Sequence, residues 1–213
     1  MKSKILKIVL FLIFCNFSFA QNNLKFGING GMTYSSFRGN PSVENFNSGI
    51  DFLTGFSFEY NLKERLSLIV NLNYDRKRAS QSLYTEFIEN PDDQGFYGNV
   101  KIILKKQFIT LPILVRYKFG NKNDFYINGG PFISYLLKSQ LSNDYDNTSS
   151  NETKNFKKID YGLAFGIGKT FKLKNNNEIS FEIRENLGLT DISSINGPIK
   201  TNSFNLICNY SFN

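Results

Sequence analysis

The chain has 213 residues, with 25 lysines and arginines against 18 acidic residues and no histidine or tryptophan. The lack of histidine excludes a Ser-His-Asp triad, a Cys-His pair and a His/Cys metal site, and leaves carboxylates, lysine and tyrosine for acid–base work. The full-chain charge of +7 includes Lys2, Lys4 and Lys7, and without these three the excess is 22 basic against 18 acidic residues, too mild to point to nucleic acid.

Met1–Ala20 opens with Lys2, Lys4 and Lys7, continues with an apolar run from Ile8 to Phe14, and ends on Ser18-Phe19-Ala20. A basic start, a short apolar centre and small residues at the cleavage positions form the pattern of a secretory signal peptide, so residues 1–20 are expected to be removed before Gln21. The apolar run is shorter than the ~20 residues that a spanning helix needs, and Phe14 is too bulky to precede a lipoprotein cysteine at Cys15. The expected mature domain, residues 21–213, keeps only Cys208, so no intrachain disulfide can form. Its size suits one domain.

From Leu24 onward the apolar residues recur with period two, which predicts strands. The first, Leu24–Ser36, sets Phe26, Ile28, Met32 and Tyr34 against Lys25, Asn29 and Thr33. The second, Gly49–Leu62, sets Phe52, Phe56, Phe58 and Tyr60 against Asp51, Ser57 and Glu59. The third, Arg65–Arg76, opposes Leu66, Leu68, Val70 and Leu72 to Asn71, Asn73 and Asp75. The fourth is the clearest: in Phe108–Phe119, Ile109, Leu111, Ile113, Val115 and Tyr117 lie opposite Thr110, Arg116 and Lys118. Its parity slips between Leu104 and Phe108, which predicts a bulge there. The fifth, Phe125–Lys138, contains Pro131, which normally demotes a strand, but alternation continues on both sides of it and a bulge could absorb it. The sixth, Lys158–Phe171, has Asp160, Gly162, Ala164, Gly166 and Gly168 on one face, small residues that make room and open no phosphate-binding helix. The seventh, Glu178–Leu189, opposes Phe181 and Ile183 to Glu182 and Arg184, and an eighth runs through Phe204, Leu206, Cys208, Tyr210 and Phe212.

The connections after the even strands are about 3–6 residues, within hairpin range. Those after the odd strands are longer, notably Lys77–Val100 and Ser139–Lys157. Membrane barrels sort their connections this way, with short periplasmic turns and long outer loops. The predicted fold is therefore all-β: an eight-stranded antiparallel up-and-down transmembrane β-barrel, apolar side out and charged side in. An eight-stranded interior is just wide enough for side chains to fill. The inward face carries Lys25, Asp51, Glu59, Asp75, Arg116, Lys118, Lys138, Asp160, Glu182 and Arg184. Buried charges must be paired, so a structural polar network is expected among Glu59, Arg116, Lys118, Asp160, Glu182 and Arg184, filling the lumen. Seven tyrosines near strand ends, Tyr34, Tyr60, Tyr74, Tyr117, Tyr135, Tyr161 and Tyr210, suit a headgroup girdle.

Lys25-Phe26-Gly27…Gly30-Gly31-Met32, Phe108-Ile109-Thr110-Leu111-Pro112, Arg116-Tyr117-Lys118-Phe119, Asn128-Gly129-Gly130-Pro131, Asp160-Tyr161-Gly162 and Glu182-Ile183-Arg184…Leu187-Gly188-Leu189-Thr190-Asp191-Ile192 occur in this order. In order and spacing they resemble the PorT-like outer-membrane β-barrel proteins, also called the porin family. The resemblance covers the whole mature chain. It implies the architecture of OmpX and the OmpA membrane domain, placement in the outer membrane, and kinship with a member that acts in protein secretion and gliding. The expected function is that of a structural or surface-interaction barrel: non-enzymatic, monomeric, without cofactor, catalytic residues or metal. It would meet outer-membrane lipid on its wall and a protein partner through residues 77–100 and 139–157. The alternatives are a narrow transport or secretion-associated barrel, and a soluble ligand carrier of lipocalin type with the two faces reversed.

Overall fold

The computed structural model describes residues 23–87, 96–145, 147–195 and 197–212, so the expected signal peptide lies outside the described residues. The strands are β1 (Leu24–Arg38), β2 (Asn47–Lys63), β3 (Leu66–Phe87), β4 (Phe96–Phe119), β5 (Phe125–Asn143), β6 (Ser149–Asn151), β7 (Ile159–Lys172), β8 (Glu178–Gly188) and β9 (Lys200–Phe212). A four-residue helix, α1 (Pro41–Glu44), follows β1. Among the described residues no helix is long and apolar enough to cross a membrane.

The order β4-β3-β2-β1-β9-β8-β7-β5, with β5 pairing back onto β4, closes a ring of eight antiparallel strands. The short β6 lies outside the ring count and extends β5 where β7 has not yet begun. Following paired residues round the ring runs from Leu24 through Tyr60, Leu68, Val115, Gly129, Phe165, Glu185 and Phe204 to Tyr34, ten positions further along β1. Such a stagger goes with strands tilted on the order of 40° to the axis. Within the ring, closure pairs each of the eight strands with two neighbours.

The two faces separate as the alternation requires. Phe56, Val115 and Phe181 point outward and are 50–58% exposed, whereas Glu59, Arg116 and Glu182 point inward and are 4–7% exposed. A soluble carrier would show the opposite arrangement. The short connections lie at one end: Lys63 to Leu66, Phe119 to Phe125 and Lys172 to Glu178. Gly120, Asn123 and Asn176 adopt left-handed backbone there (φ 89°, 52° and 64°), the conformation that Gly and Asn adopt most cheaply in tight turns.

At the other end the structure departs from the sequence reading. Lys77–Val100 is not a loop throughout. β3 and β4 stay in register from Lys77↔Lys106 to Phe87↔Phe96, so the hairpin rises well beyond its neighbours. The described residues of Ser139–Lys157 likewise include the end of β5, β6 and a 3-10 turn at Thr153–Asn155. The expected bulge in β4 lies instead on β5. Gln107 pairs with Lys138 and Phe108 with Leu136, leaving Leu137 as the extra residue. That bulge turns Lys138 to the outer face, so it does not join the interior charges. Pro131 causes no register shift and simply faces outward.

Candidate functional site

The lumen brings five of the six predicted charged side chains into one connected set near the short-turn end. Glu59 of β2 accepts from Arg116 Nη1 at 3.0 Å, Lys118 Nζ at 2.6 Å and Ser67 Oγ at 2.7 Å. Arg116 spans the lumen and donates through Nη2 to Glu182 Oε2 at 3.3 Å. Glu182 also accepts from Tyr126 Oη at 3.1 Å and from Arg184 Nε. The Arg116 guanidinium lies 3.7 Å from the Tyr126 ring centre. The Asn71 amide, turned with its oxygen toward Arg184, accepts at 3.0 and 3.3 Å. Gly166 makes this possible on β7, since a Cβ there would sit 2.7 Å from Glu182 Oε1. The free space beside these groups is about 20 Å³, room for about one water.

Asp160 stands apart from this set. It accepts from Thr190 Oγ1 at 2.6 Å and Thr201 Oγ1 at 2.7 Å, in a layer toward the long-loop end. Lys77 donates to the same Thr201 hydroxyl at 3.2 Å, and Thr33 donates to Asp75 at 3.2 Å. Below, at the short-turn mouth, Lys25 pairs with Glu178 at 2.7 Å. That mouth is a vestibule of about 930 Å³ lined by Lys63, Lys118, Lys122, Lys169 and Lys172 together with Glu64, Asp124 and Glu178.

Two interior groups escaped the sequence reading. Lys77 and Lys106 are directly opposite on β3 and β4 and fully buried. Lys106 donates to Ser139 Oγ at 2.8 Å and rests 2.8 Å from the Phe156 ring centre. Around it Phe37, Val43, Ala79, Leu104, Phe108, Leu136, Ile192 and Ile199 form one apolar cluster that fills the upper lumen. The signal was parity. Odd positions from Asp75 run on to Lys77 and Ala79, and even positions from Arg116 run back to Lys106 and Leu104.

Local chemistry brings the loops into this plug. Asn40 caps α1 by accepting from the Val43 N–H at 3.3 Å, and Pro41 opens the helix, so Val43 drops inward. In the β8–β9 connection, Asp191 Oδ1 accepts from the N–H groups of Ser193 and Ile199, both at 2.9 Å, and its Oδ2 accepts from Lys157 at 2.8 Å. The Lys157 ammonium above all, then the two backbone donors, hold the Asp191 carboxyl down at about 2. Ile192, between them, is fully buried in the plug.

The family model described as outer membrane protein beta-barrel domain matches residues 19–194. Among solved structures, Neisserial surface protein A is 14% identical, covering 87% of this chain and 95% of its own, with a TM-score of 0.47. Ail of Yersinia pestis is 14% identical over 89% of this chain and 99% of its own, at 0.44. The outer-membrane protease OmpT of Escherichia coli is 10% identical over 90% and 96%, at 0.40. No curated protein sequence matches. With the closed ring of strands and the apolar outer wall, the family match makes this chain a member of the outer membrane β-barrel domain family, resident in the outer membrane.

Proposed function

We propose that this protein is a closed barrel of structural or surface-interaction type, acting through its extracellular end and not by conduction or catalysis. The observation that carries the reading is the double filling of the lumen: ion-paired side chains below, an apolar plug with two lysines above. An aqueous channel needs a continuous polar path, and the Phe37–Phe108–Ile192 cluster interrupts one. In this reading the mature chain begins at Gln21, is monomeric and PorT-like, and carries no cofactor. The raised β3–β4 hairpin within residues 77–100, of which 88–95 lie outside the described residues, and the segment 139–157 are its contact surfaces for a protein partner. The lumen charges Glu59, Arg116, Lys118, Glu182 and Arg184 serve stability, with Asp160 tying the β8–β9 connection to the wall. Planar-bilayer recording of folded, heat-modifiable protein tests it. A silent bilayer is expected, and reproducible single-channel steps would replace the closed barrel by the narrow transport reading.

A further inference from the structure

The outer wall changes chemistry abruptly along β3, β4 and β5. Tyr74, Ile109 and Tyr135 pair across the three strands as one outward apolar row, with the bulged Leu137 exposed just beyond Tyr135. The next outward row is Arg76, Gln107 and Lys138, and the one above it is Arg78, Lys105 and Gln140. All six side chains of these two rows are half-buried, lying along the wall. Arg78 and Lys105 are direct cross-strand partners, an arrangement of like charges that costs stability unless an anion is shared. Asp51 satisfies Arg76 at 3.1 Å, but among the described residues Arg78, Lys105 and Lys138 make no ion pair. The Leu137 bulge is what places Lys138 here and not in the lumen.

We propose that Arg78, Lys105 and Lys138, with the amides of Gln107 and Gln140 between them, bind the phosphate of a phosphorylated lipid headgroup in the outer leaflet. The position argues for a lipid as the occupant. The patch begins one outward row above Tyr74 and Tyr135, where aromatic side chains mark the headgroup level. A phosphate monoester there meets guanidinium and ammonium donors above, while its acyl chains lie along Ile109, Ile133 and Val115 below. Charge-assisted hydrogen bonds from several donors at once are the geometry that phosphate accepts.

The test uses the full-length folded protein in nanodiscs of phosphatidylcholine, titrated with bisphosphorylated lipid A or its dephosphorylated form and read by native mass spectrometry. Wild type is expected to retain the phosphorylated lipid selectively. Arg78→Gln with Lys105→Gln and Lys138→Gln should weaken that retention about a hundredfold, since each basic group near a lipid surface contributes a few-fold. A variant neutralising Lys63, Lys122 and Lys172 at the opposite mouth, with the same loss of charge, should bind as wild type. Equal retention of both lipids, or equal loss in both variants, overturns the proposal. Competition by millimolar inorganic phosphate would overturn the lipid as occupant. Should the triple variant not fold, Lys105→Gln alone must lower retention several-fold while Lys105→Arg restores it.

Discussion

Arg116 and Lys106 stand on the same strand and face the same lumen, yet they are accommodated by different chemistry. Arg116 meets two carboxylates and a phenol ring. Lys106 meets a serine hydroxyl and the faces of Phe156 and Phe37, and among the described residues it makes no ion pair. Below, charge is matched by charge, and Glu59, Arg116 and Glu182 each hold two ionic partners. Above, apolar burial closes the barrel and the lysines lie within it, solvated by rings and hydroxyls. The lower half fixes geometry, because a misplaced partner leaves a bare ion. The upper half supplies burial, which tolerates rearrangement more easily.

The contrast can be broken most forcefully at Glu182. Glu182→Ala leaves Arg116 with a single carboxylate and Arg184 with none, and stranding a buried ion costs about 3–5 kcal/mol. Urea unfolding in micelles, followed by the heat-modifiable gel shift, should show that loss. Reversing Glu182 and Arg184 together should recover part of what either reversal loses alone, and unchanged heat stability in both single reversals would dismiss the ion-paired set. Phe108→Ala in the plug should cost about 3 kcal/mol, the usual range for an emptied aromatic site. The two losses should add to within about 0.5 kcal/mol if the halves are independent.

A lysine exchange sharpens the comparison with smaller effects of opposite sign. Lys106→Met removes a buried amine that makes no ion pair among the described residues and keeps the volume, so stability should rise by about 1 kcal/mol. Lys118→Met removes one of the two cations on Glu59 and should lower it by about 1 kcal/mol. The same denaturation experiment reads both. A loss at Lys106 equal to that at Lys118 would mean that both halves rely on paired charge.

Period-two alternation made the ring of strands and the lower charges legible, because inside the lipid band polarity and direction coincide. Glu59, Arg116, Glu182 and Arg184 could be picked from the sequence for that reason alone. Above the band the rule inverts. Beyond Tyr74 the outer face of the β3–β4 hairpin carries Arg78 and Lys105, while Leu104, Phe108 and Ala79 point into the plug. The alternation survives but its polarity is reversed, and a reading that equates apolar with outward sees only a polar loop. Lys77 and Lys106 vanish in the same way. Lys138 fails for a different reason: the bulge at Leu137 shifts its parity, and nothing in Leu136-Leu137-Lys138 marks which residue will be extra.

The smallest effect is also the most local. Asp191 is only half-buried, but its carboxylate gathers Lys157, Ser193 and Ile199 and so presses Ile192 into the plug. Its folded value is held down at about 2, below the ordinary aspartate value near 3.9. A lowered folded value stabilises the docked connection above the free value, and that contribution disappears as pH falls from about 4 through about 2. Global unfolding should barely register this, because the group lies outside the strand ladder. Hydrogen exchange at the Ile192, Ser193 and Ile199 amides, corrected for intrinsic chemistry, should show protection at pH 5 and its loss near pH 2. In Asp191→Asn the same amides should exchange quickly at pH 7 and show no further change on acidification. Equal protection at both pH values in the wild type would mean that apolar burial of Ile192 alone holds the connection, extending the character of the upper half to its last polar contact.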